Sequence, residues 1–75
     1  MHMSVSEIVK LGKEIAKDYP RDVVLQMLES KKKVNPDANV QNTVYHSLSA
    51  IARMRGANMG DSKKVANFII GFLNL

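Results

Sequence analysis

The chain contains no cysteine. This excludes disulfide staples, thiolate nucleophiles and cysteine-held metals together, and it is compatible with a reducing cytoplasm. Histidine is nearly as scarce, since His46 is the only one outside the first three residues. The acids are scattered over helix starts and mixed-charge surface positions, so no acid, base and nucleophile are grouped as an enzyme needs. The expectation is a non-enzymatic protein with no cofactor, no metal and no small-molecule substrate. Long apolar runs are also missing. The most apolar stretch, 65–75, falls far short of the roughly 20 residues that span a bilayer. Residues 1–20 are interrupted by Glu7, Lys10, Lys13, Glu14, Lys17 and Asp18 and hold no apolar signal-peptide segment. A soluble, cytoplasmic protein without a membrane partner is expected.

Acidic charge is missing from one region in particular. Residues 1–30 hold four bases against five acids, a net of −1, whereas residues 31–75 hold seven bases against two acids, a net of +5. Such asymmetry implies one electropositive surface and an anionic partner. With 75 residues there is one domain at most and a thin core, for which self-association is the cheapest added stability. Met1-His2-Met3 reads as a cloning remnant ahead of a native start at Met3 or Ser4. That leaves residues 4–75 as a single helical domain and His2 outside any chemistry.

What is present is helical periodicity. Ser4 and Glu7 have capping-box spacing, and Val5, Ile8, Val9, Leu11, Ile15 and Ala16 then recur mostly three and four residues apart. Gly12 costs that helix about 1 kcal/mol relative to alanine or marks a close helix contact. Pro20 suits the first position of a second helix, with Asp22 near its positive end and Val23, Val24, Met27 and Leu28 on its buried side. Lys31, Lys32 and Lys33 then fall in a loop or a fraying helix end. Asn35-Pro36-Asp37 repeats the starting signal and predicts a long third helix over 36–55, stopped by Gly56. On its wheel Val40, Val44, Leu48, Ile51 and Met54 form the inner stripe, and Asn42, His46, Ser49 and Arg53 the outer one. Asp61 or Ser62 is expected to cap a fourth helix through Phe68, Ile70 and Phe72 to the end. That helix is apolar nearly all round, so it must plug the core, pair with another chain, or do both.

The third helix carries the functional signal. Its outward groups are amide, imidazole, hydroxyl and guanidinium, with no competing carboxylate after Asp37, where an ordinary solvated face would mix Glu with Lys. The string Asn42-Thr43-Val44-Tyr45-His46-Ser47-Leu48 resembles the opening of the recognition helix in winged-helix repressors. That resemblance implies that Gln41, Asn42, Thr43, Tyr45 and His46 face DNA. The chain departs from that pattern in a longer turn before the helix and in the absence of a β-wing after Gly56. Gln and Asn can read adenine edges, while Lys31, Lys32, Lys33, Arg53, Arg55, Lys63 and Lys64 can hold phosphates. Gly56 to Lys63 lacks the spacing of a phosphate loop, and Asp37-Ala38-Asn39 lacks the glycine and closing glutamate of a calcium loop, so both are turn chemistry.

The expected fold is all-α, a four-helix domain with a possible helix-turn-helix-like arrangement. The expected function is a small DNA-binding or regulatory protein, dimeric through Phe68, Ile70, Phe72 and Leu75. The alternative is a helical protein-interaction module without nucleic-acid binding, an adaptor, inhibitor or oligomerisation domain, whose same polar face, with Ser49 included, meets another protein such as an acidic one.

Overall fold

Ser4 starts the first helix as its spacing to Glu7 requires. The Glu7 amide donates to Ser4 Oγ at 3.2 Å and the Ser4 amide donates to the Glu7 carboxylate at 2.9 Å. The hydrogen bonds from the Ser4 backbone and side chain hold the Glu7 carboxyl below its ordinary pKa. The computed structural model describes residues 2–75 and consists of α1 (Val5–Asp18), α2 (Arg21–Val34), α3 (Val40–Met54) and α4 (Met59–Phe72). No strand occurs among the described residues, so the chain is an all-α four-helix domain. Met1 of the expected remnant lies outside the described residues. Met3 is half-buried against the core, and its amide donates to Asp61 Oδ2 at 3.0 Å.

The starts of three helices differ from the expected ones. Pro20 is the N-cap of α2 rather than its first helical residue. Asn35 closes α2 instead of opening α3, and Pro36-Asp37 forms a turn. The cap of α3 is Asn39, whose side chain accepts the Asn42 amide at 3.0 Å. Asn39, nearer the apolar repeat, thus takes by the same side-chain chemistry the role expected of Asn35. Asn58, rather than Asp61 or Ser62, caps α4 by accepting the Asp61 amide at 2.7 Å, so both later residues lie inside the first turn and are buried.

Gly56 does stop α3, at φ +104°. The amides of Gly56 and Ala57 reach back to the carbonyls of Arg53 and Ala52 at 3.0 and 3.1 Å, which satisfies the last free carbonyls of the helix. α4 ends in the same way, with Asn74 taking the left-handed position at φ 56° and Leu75 bonded back to Ile70 at 2.9 Å. Asparagine tolerates that conformation better than most residues.

The core is built from Ile8, Ile15, Val24, Leu28, Val44, Leu48, Ala52, Val65, Ala66 and Ile69. Burying each large aliphatic side chain stabilises the fold by about 1.5–3 kcal/mol. α4 lies against both α3 and α1, whereas α2 touches mainly α3. Close approach of α1 and α4 depends on Gly12, because a Cβ there would come within 2.8 Å of Phe68 Cε2. The glycine is therefore a contact device and not merely a weak helix position.

Candidate nucleic-acid interface

α2 buries only Val24 and Leu28, and every residue from Glu29 to Asp37 is exposed. Its last turn therefore leaves the bundle as a helical arm. Lys31, Lys32 and Lys33 form that turn, so of the two expected placements they take the helix end and not the loop. Cations are favoured there by the negative helix end, which keeps the turn helical despite its polarity. Lys31 Nζ donates to Ser47 Oγ at 2.6 Å and ties the arm to α3.

Between the arm and α3 lies an open groove of about 610 Å³, bordered by Ser30, Lys31, Asn35, Asn42, Thr43 and His46, with Val34 and Ala38 completing it. No carboxylate borders it. Asn42, His46 and Arg53 are all exposed, and the 3.6-residue repeat sets His46 and Arg53 about 20° apart and roughly 10 Å along the axis. Gln41 is exposed in the first turn. Tyr45 is half-buried and meets the His46 ring edge-on with centroids 5.7 Å apart.

Ser49 does not belong to this surface. It is 6% exposed, and its Oγ has no hydrogen-bond partner. The buried stripe of α3 runs through Val44, Leu48, Ser49 and Ala52, so it is rotated from the expected one. Met54, expected inside, is 86% exposed. Small Ser49 and Ala52 admit neighbouring helices closely, and a reading that weighs hydrophobicity alone passes over them.

The remaining cations are dispersed. Arg55 donates to Asp18 Oδ2 at 2.7 Å, and that hydrogen bond raises the guanidinium pKa, with desolvation opposing it. The Arg55 charge is thus answered within the fold, although an exposed pair of this kind adds little stability. Lys63 and Lys64 are exposed near the start of α4, at the end of the bundle where α3 finishes. They lie apart from the lysine arm. Of the α4 residues expected at a dimer contact, Phe72 is 54% exposed and stacks on Phe68 at 5.5 Å. Phe68 covers Gly12, and Ile70 and Leu75 are half-buried against the chain's own core.

Asp61 is a buried carboxylate that sequence reasoning placed only as a cap. One oxygen accepts the Met3 amide, while Oδ1 has no hydrogen-bond partner. No group of His, Cys, Asp and Glu suited to a metal occurs among the described residues, and no helix among them is long and apolar enough to cross a membrane. No family model, curated protein or solved structure matches the chain.

Proposed function

We propose that the chain is a small non-enzymatic DNA-binding protein of the cytoplasm, acting in transcription regulation. The observation that carries this reading is the carboxylate-free groove between the lysine arm of α2 and the exposed polar edge of α3. Lys31, Lys32 and Lys33 hold phosphates, while Gln41, Asn42 and His46 approach base edges and Arg53 extends the contact along α3. Ser49 and Arg55 are left out, the first because it is buried and the second because Asp18 occupies it. Dimerisation through the exposed ring of Phe72 would place two such edges on one duplex.

An acidic protein is the second reading. It is favoured by Val34, which is 88% exposed beside the lysines and gives the arm an apolar contact that a phosphate backbone does not use. Salt separates the two readings, because phosphate contacts release condensed counterions and the affinity slope falls by about 0.9 per phosphate. A fluorescent random-sequence duplex titrated at two salt concentrations is expected to bind with a steep slope. Charge reversal of Lys31, Lys32 and Lys33 is expected to abolish that binding. Absence of binding at low salt rejects the DNA reading.

A further inference from the structure

α2 makes little contact with α1 or α4, and a second groove opens between α2, the start of α3 and the end of α4. The volume is about 590 Å³, within the roughly 300–1,000 Å³ typical of small-molecule sites. The floor is aliphatic, made by Leu25, Leu28, Val44, Ile70 and Leu75. The rim is polar and has one charge, with Arg21, Gln41, Asn67 and Asn74 around the mouth. Arg21 Nε donates to the Asn74 carbonyl at 3.4 Å, a long bond that joins the start of α2 to the end of α4.

Three features set the chemistry of an occupant. The floor is made of aliphatic side chains, so it fits an alkyl or similar apolar body. No Asp or Glu borders the groove, and its single charged group is a guanidinium. The first turn of α3, which also borders it, contains no acid, and although Asn39 caps the Asn42 amide, the Val40 and Gln41 amides have no acceptor within the helix. Cation, amides and positive helix end all favour an anion at the rim, while the floor favours hydrocarbon.

We propose that this groove binds a small apolar carboxylic acid, its chain on the aliphatic floor and its carboxylate at Arg21. The groove meets the one beside the lysine arm at Asn42, but its test uses no nucleic acid, so its failure and the failure of the DNA reading are distinguishable. The ligand reinforces the Arg21–Asn74 bond that already joins the start of α2 to the end of α4.

The test is a titration of the full chain with decanoate below its micelle concentration, followed by methyl NMR, with decanol as the uncharged control. Saturable shifts are expected at Leu25, Leu28, Val44, Ile70 and Leu75, with the Met54 and Met59 methyl groups unmoved. Decanol and the Arg21→Gln variant are each expected to bind about tenfold more weakly, as loss of one charge-assisted hydrogen bond implies. Asn67→Asp, which adds a repelling carboxylate at an exposed rim position, is expected to weaken decanoate and spare decanol. The proposal is overturned by equal affinity for decanol and decanoate, or by shifts that never saturate and spread to Met54 and Phe72. It is also overturned if the groove methyl groups shift with protein concentration alone, which would mean that a second copy covers them.

Discussion

α2 and α4 are both 14 residues long, yet they relate to the core in opposite ways. α4 buries Asp61, Ser62, Val65, Ala66 and Ile69 and is flanked by α1 and α3, whereas α2 buries two residues and leans mainly on α3. Apolar burial supplies most of the folding free energy. Stability is therefore concentrated in α1, α4 and the part of α3 between them. The arm of α2 and the start of α3 contribute less, and their polar groups are correspondingly available to a partner. In a small domain the element least needed for the core is the one best placed to bind.

The largest effect that would break this contrast is a cavity. Ile69→Ala is expected to cost about 2–5 kcal/mol, enough to unfold much of a domain this small, whereas Val34→Ala is expected to stay within about 0.5 kcal/mol. Urea denaturation of the two variants measures both, and similar midpoints would show that α2 and α4 are equally embedded. Gly12→Ala comes next. Its gain in helix propensity, about 1 kcal/mol, is set against overpacking of the Phe68 ring that costs about 1–3 kcal/mol, so a net loss near 1 kcal/mol is expected. A stabilised variant would mean that α1 and α4 can part without penalty.

Smaller changes sharpen the comparison around α3. Asn39→Ala is expected to cost about 1 kcal/mol through loss of the cap, and Asn35→Ala much less. The reverse order would restore the earlier helix start. Ser49→Ala removes a buried hydroxyl without a partner, so thermal melts are expected to show unchanged or slightly raised stability, by up to about 1 kcal/mol. The variant should also keep its affinity for duplex DNA. A drop in affinity would return Ser49 to the binding surface.

These positions also show what can be read from sequence. The Ser4–Glu7 box and the Gly56 stop are local chemistry, complete within four or five residues, and both form as expected. The start of α3 lies four residues later than Asn35-Pro36-Asp37 predicts, because Asn39 supplies the cap by the same side-chain chemistry. The rotation of the α3 stripe depends on which small residues a neighbouring helix selects, and Ser49 does not announce that. The lysines and the exposed Asn42, His46 and Arg53 were legible from charge and periodicity. The capture of Arg55 by Asp18 joins residues 37 positions apart and has no signature in spacing.

The central claim is that the weakly embedded arm of α2 and the exposed edge of α3 form the binding surface. Amide NMR during titration with a short random-sequence duplex at low salt tests it most directly. Shifts concentrated at Lys31, Lys32, Lys33, Gln41, Asn42, His46 and Arg53, and reversed by added salt, are the predicted result. Shifts confined to α1 and α4, or none at all, would contradict it.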